Sequence, residues 1–232
     1  MPLALVDLVD LLGHAAVPLQ LTLKVALTAT AGACMAGIAA GYALSRRGLP
    51  GREVLDALCT LPLVLPPTVI GYYLLVVFGR RGVVGGWLEK TLDVSLVFTW
   101  QGAALAASVV AFPLVCKAAR TAFEAVDEHL ENAARTLGAR EARVFLRVSL
   151  PLAWRGIVAG TMLALARAMG EFGATLMLAG NLPGRTQTLS LAVYEAVQAG
   201  RDHEAAFLVA LTSLVCVSLL LASGRLLGRK RF

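Results

Sequence analysis

The sequence predicts an all-α integral membrane protein, and three observations carry that expectation. Of the 232 residues 58% are hydrophobic and only 16% charged, and the mean hydropathy is +0.74, well above that of a water-soluble domain of this size. The apolar residues fall in runs of roughly 20 to 25, each long enough at about 1.5 Å per residue to cross a hydrocarbon core of about 30 Å. Between the third and fourth runs lies a charged, helix-patterned insert, about residues 117–155, of the kind that places a structured surface in water. The expectation is five core transmembrane helices plus an N-terminal segment that forms a sixth or an interfacial helix.

That lead-in, residues 1–18, carries Asp7 and Asp10 but no Lys or Arg. It lacks the basic region of a cleavable signal peptide and is expected to stay as an amphipathic or partly inserted helix. The first span, about 19–44, repeats Ala29, Gly32, Ala33, Ala36, Gly37, Ala40 and Gly41 at three- and four-residue steps, a face that lets another helix approach closely in lipid. The second, about 54–78, contains Pro62, Pro66 and Pro67. Each proline removes a backbone donor, so this helix is expected to kink and to turn toward the bundle interior or a cavity. A loop follows with Trp87 and Trp100 where interfacial aromatics often sit. The third span covers about 96–115, the fourth about 156–179 and the fifth about 205–227, with a polar, turn-rich passage between the last two and a basic tail at 229–232.

Charge sets orientation. The formal net charge is +6, but most of the cations flank apolar runs, with Lys24 and Arg167 within them, so a nucleic-acid partner is not indicated and lipid headgroups are. Fourteen of the 21 Lys and Arg lie on the side of the insert and the C-terminus, and five, Arg80, Arg81, Lys90, Arg185 and Arg201, lie on the other. The insert and C-terminus are therefore expected in the cytoplasm. Cys34, Cys59, Cys116 and Cys216 all fall inside apolar runs without a CxxC pair, and the three histidines are scattered, so no metal site is expected.

Within the insert, Phe123, Val126, Leu130, Ala133, Ala134 and Leu137 form one apolar stripe at helical spacing. Asp127 is placed to cap this helix, Glu128 and Glu131 lie in its first turns, Arg135 follows Glu131 at i+4, and Gly138 can end it in a left-handed conformation. A second helical stretch begins near Ala139, with Arg140, Arg143 and Arg147 as a basic stripe, and Pro151 is expected to mark its junction with the fourth span. The product is a projecting helical hairpin. Pattern alone leaves two readings, a docking element or a solvated loop lying on headgroups.

Asn132-Ala133-Ala134-x-x-x-Gly138, then nine residues, then Val148-x-Leu150-Pro151, resembles the EAA loop of ABC importer permeases, E-A-A-x-x-x-G, nine residues, I-x-L-P. Asn132 replaces the motif Glu and Val148 the Ile; Glu131 is adjacent but out of register. Residues 63–73 around Leu63-Val64-Leu65-Pro66-Pro67, the stretch Phe78-Gly79-Arg80-Arg81-Gly82, the stretch Arg167-Ala168-Met169-Gly170-Glu171-Phe172-Gly173, and Thr186-Gln187-Thr188 resemble the permease subunit of bacterial molybdate ABC importers. The resemblance covers about residues 19–228 and implies a MetI-like type I importer permease of the inner membrane, with sulfate or thiosulfate permeases as the nearest alternative and tungstate as co-substrate. It further implies a second copy of the chain, two ATPase subunits docked on about Glu128 to Arg140, and an extracytoplasmic molybdate-binding protein. No G-x-x-x-x-G-K-[ST] loop occurs, so ATP and Mg belong to the partner; the chain is expected to bind no cofactor and to be no enzyme.

Arg167 and Glu171, four residues apart inside the fourth span, must face protein rather than lipid. Two roles stay open: Arg167 lends positive potential to an oxyanion path, or the two pair to fix packing or close a gate. Pro66, Pro67, Thr186 and Gln187 join them as candidate path residues. A self-contained secondary anion transporter would need more titratable groups in its spans than Arg167, Glu171 and Lys24, and a membrane enzyme would need a His, Cys or carboxylate cluster that the sequence lacks.

Overall fold

The computed structural model describes the backbone of residues 2–46, 48 and 50–228, and the side chains of these except 2–10, 222–223 and 225–228. The basic tail 229–232 and Arg47 lie outside the described residues.

The lead-in and the first span are one helix, α1 (Pro2–Ser45), with Pro18 inside it. The hydroxyl of Thr22 donates to the Pro18 carbonyl at 2.7 Å, and Pro18 interrupts the ladder without ending the helix. Its small-residue face is spent on α5 (Trp100–Glu124), the third span. Val25, Ala26, Ala29 and Ala33 of α1 pack with Ala103, Ala107, Ala111 and Val115 of α5 in one buried cluster that Ala164 and Ala168 join from α8 (Leu150–Met169). The approach is closest at Gly41, where a Cβ would stand 2.8 Å from the Cys116 carbonyl. At Gly160 of α8, facing the same helix, an added Cβ would stand 2.3 Å from the Ala118 Cβ. In lipid, such backbone proximity and dispersion replace the hydrophobic drive as the source of helix association.

The second span departs most from expectation. It is two helices, α2 (Arg52–Val64) and α3 (Pro67–Phe78), bent by 111° at the break. Leu65, which precedes a proline, is extended at φ −70°, ψ 142°, and Pro67 opens α3 where its missing N–H costs nothing. No residue of α2 is buried. Polar contacts hold it against α5 instead: Asp56 receives Lys117 Nζ at 2.7 Å and Arg120 Nη1 at 2.8 Å, and Arg52 pairs with Glu124.

α4 (Val83–Leu92) occupies what the sequence reads as a loop, with Trp87 exposed on it. The fourth span also differs: its helix begins earlier, at Glu141, and ends at Met169. α7 (Glu141–Val144) runs through a π-turn at Phe145–Ser149 into α8, so Pro151 sits in the first turn of a continuing helix instead of at a junction. Gly170 ends α8, and residues 173–179 form a separate helix, α9 (Gly173–Ala179). The turn-rich passage then leads into α10 (Leu189–Gln198), whose first N–H, that of Leu189, donates to Thr22 Oγ1 of α1 at 2.8 Å. α11 (Asp202–Gly228) is the last span. Among the described residues four helices are long and apolar enough to cross a bilayer, and the bent α2–α3 pair passes the same test when its two arms are taken together.

Candidate functional site: the charged hairpin and the broken helices

The hairpin forms as its sequence dictates. Asp127 caps α6 (Glu128–Thr136), its carboxylate accepting from the His129 N–H at 2.9 Å, and Gly138 takes φ +82° at the other end. What the periodicity does not give is the direction of the stripe. Phe123 is buried at the root and Val126 half-buried, but Leu130 is 50% and Leu137 89% exposed, and Ala133 between them is exposed too. Arg140, Arg143 and Arg147 are exposed on the following segment. The helix presents its apolar side outward.

Its charged side turns inward. Glu131 is the buried residue of α6, at 5% exposure. Its Oε2 accepts from Arg46 Nη1 at 2.6 Å and Arg135 Nη2 at 3.2 Å, and its Oε1 from Arg46 Nη2 at 3.2 Å and Ser149 Oγ at 2.6 Å. Burial alone would push this carboxyl up; donation from Arg46 and Ser149, with the nearby positive charge, outweighs it and holds the group below its ordinary 4.5. Arg135 in turn makes a two-pronged bond to Glu141 and donates to Asn132 Oδ1 at 2.8 Å. Asn132, the residue at the motif position, is exposed. Glu128 is exposed, Ala134 and Leu150 are half-buried, and Pro151 is exposed. Arg46 and Ser149 were not singled out by the sequence, and nothing local could have done so, since they lie 85 and 18 residues from Glu131.

The two helix breaks, between α2 and α3 and between α8 and α9, meet. A Cβ at Gly173 would touch the Pro67 Cβ at 3.2 Å, and one at Gly71 would lie 2.7 Å from the Met177 Cβ, so α3 and α9 cross with almost no side chain between them. Pro66 is exposed and Pro67 half-buried at this crossing. Glu171 occupies the turn after α8, 2% exposed, and starts α9 by accepting from the Ala174 N–H at 2.8 Å. Its Oε2 lies 2.8 Å from Arg167 Nη1, so the i,i+4 pair forms although Glu171 has left the helix. That oxygen has no aligned hydrogen bond. Arg167 itself is partly exposed.

Thr186 and Gln187 are not part of this crossing by any bond they make. Thr186 is fully buried, accepting from the Leu182 N–H at 3.0 Å and donating to the Gly180 carbonyl at 3.2 Å. Gln187 donates to Glu195, which also accepts from Asn181 at 3.1 Å. Both shape the turn that delivers α10 to α1.

The architecture, long apolar helices with a projecting charged hairpin and a pair of broken helices, is that of a multi-pass membrane protein. Solved structures share it: inward-facing conformations of the MetNI methionine ABC transporter match with a TM-score of 0.74 at 16% identity, over 94% of this chain and 96% of that one. An amino acid ABC transporter with histidines matches with a TM-score of 0.67 over 98% of both chains. The chain belongs to the family described as binding-protein-dependent transport system inner membrane component, which matches residues 33–232. Among its relatives, the molybdenum transport system permease protein ModB of Escherichia coli K12 is 45% identical over 87% of this chain and 89% of the relative. A putative molybdenum transport system permease, YvgM of Bacillus subtilis, is 43% identical over 80% and 82%, and the sulfate transport system permease CysW of Synechococcus elongatus is 38% identical over 79% and 65%.

Proposed function

We propose that this chain is the membrane permease of an ATP-driven importer for molybdate, with tungstate as a co-substrate. The observation that carries the substrate is the 45% identity to a molybdenum permease across nearly the full length of both chains, above the 38% to a sulfate permease, which the chain matches over a smaller share. Two copies form the path. The hairpin faces the cytoplasm, in keeping with the fourteen cations on its side, and Leu130, Ala133 and Leu137 enter a groove of an ATPase subunit that binds ATP and Mg. An external binding protein delivers the anion, and closure of the two ATPases moves the hairpins in an alternating-access cycle.

At the crossing of α3 and α9, the Arg167–Glu171 pair serves as the gate. Arg167 is already neutralised at 2.8 Å, which favours pairing over direct anion binding. Uptake of labelled molybdate, in cells lacking the chain and in cells carrying it, tests the reading. Uptake restored by the chain, suppressed by excess tungstate and little affected by equal sulfate, is the expected result; suppression by sulfate alone would move the chain to sulfate transport. Purification without any stoichiometric ATPase would instead favour a secondary anion transporter.

A further inference from the structure

The sequence makes Glu131 one more residue of a partner-binding loop, but its surroundings give it a different task. It is the buried residue of α6, while the apolar residues that would ordinarily anchor a helix, Leu130 and Leu137, are exposed. α6 is therefore fastened to its own chain through a carboxylate. Four donors converge on that carboxylate from three places: Arg46, one residue beyond the end of α1; Ser149, in the π-turn that becomes α8; and Arg135 of α6 itself. The first two belong to segments that continue as membrane spans.

Each donor is also fixed from behind. The Arg46 guanidinium lies 4.5 Å from the centre of the Tyr42 ring, and that ring meets Phe123 of α5 edge-on at 5.1 Å and Phe145 of the π-turn at 4.6 Å. Ser149 is fully buried and ends the π-turn, and such turns recur at functional positions. On the open side of the Arg46–Glu131 pair is a polar cavity of about 590 Å³, bordered by Arg52, Arg120 and Glu128, so the junction can tilt without collision.

We infer that Glu131 is an internal latch, a positioning residue that transmits displacement of α6 to α1 and α8 at once, and that it does not touch the ATPase. This rests on the proposed docking of an ATPase on α6. The leucine face receives the push and the carboxylate passes it on; without the latch α6 would follow the ATPase while the spans stayed behind.

The test uses the assembled complex, reconstituted in lipid vesicles with its ATPase and binding protein, with ATP hydrolysed and molybdate imported measured on one sample. Glu131→Gln is expected to keep the ATPase bound and to hold hydrolysis within about twofold, while molybdate imported per ATP falls by about tenfold. Glu131→Asp should recover part of that ratio. Arg46→Gln should lower it similarly, and the double variant should be no worse than either single, as for two halves of one joint. A general folding defect would lower hydrolysis and import together and leave the ratio unchanged, and an unchanged ratio overturns the latch. Release of the ATPase by Glu131→Gln overturns it too, because Glu131 would then be a partner contact. If Glu131→Gln does not assemble, Arg46→Lys, which keeps the charge but loses the two-pronged bond, is read by the same ratio. Absence of an ATPase from the wild-type complex would overturn the proposed function itself, a result distinct from either of these.

Discussion

Glu131 and Glu171 are both buried glutamates paired with arginine, one in the projecting hairpin and one in the turn between α8 and α9, and they are bonded very differently. Glu131 receives four donors across its two oxygens. Glu171 has one aligned bond, from the Ala174 N–H, and on its other oxygen a charge contact at 2.8 Å without hydrogen-bond alignment. A saturated buried network is stiff, whereas a partly satisfied one is held mainly by its charge partner and is poised to rearrange. The first arrangement suits a joint that transmits motion, and the second suits a contact that must open.

The largest effect is expected at Glu171. Arg167→Ala leaves that carboxylate buried with one hydrogen bond and is expected to cost about 3–5 kcal/mol, while the Arg167→Ala/Glu171→Ala double variant regains most of it. Thermal unfolding of the purified complex measures both, and equal losses in the single and double variants would remove the pair from the account. Gly71→Ala sharpens the same side by pushing α3 off α9. Its Cβ would lie 2.9 Å from the Ala174 Cα, beside the bond that holds Glu171, and a cost of about 1–3 kcal/mol is expected by the same assay.

At Glu131 the sharper probe is pH. The folded carboxyl lies below its ordinary 4.5, so its stabilisation is complete above that value and is lost as pH falls through the folded one. The stability gap between wild type and Glu131→Gln should therefore be flat near neutrality and close only under acid conditions more extreme than an ordinary glutamate requires. A gap that narrows already near pH 6 would contradict the bonding described. The smallest effect is expected at Asn132, exposed on the outer side of α6: Asn132→Glu should change stability by less than about 0.5 kcal/mol and leave transport-coupled ATP hydrolysis intact.

Much of this was legible in the sequence, for identifiable reasons. Long apolar runs fix the all-helical membrane class, and the Asp127 cap and Gly138 turn are local signals that fold locally. The small residues of α1 announced a close helix contact and found it in α5. The 111° bend was only half legible: Pro66 and Pro67 dictate a break, but its angle depends on where α3 meets Gly173 and Ala174, more than 100 residues away. α4 and α10 were missed because each is short and embedded among turn residues, Gly85 and Gly86 in one case and Pro183 and Gly184 upstream of the other. Continuity through Pro151 was missed because a π-turn has no sequence signature, and the facing of α6 because periodicity locates a stripe without saying what covers it.

The claim that α6 shows its leucines to a partner and its carboxylate to its own chain can be tested directly by site-specific photo-crosslinking in native membranes. A photoreactive side chain at position 137 is expected to yield an adduct larger by the mass of an ATPase subunit, and the same group at position 131 none. A comparable adduct from position 131, or no adduct from position 137, would contradict it.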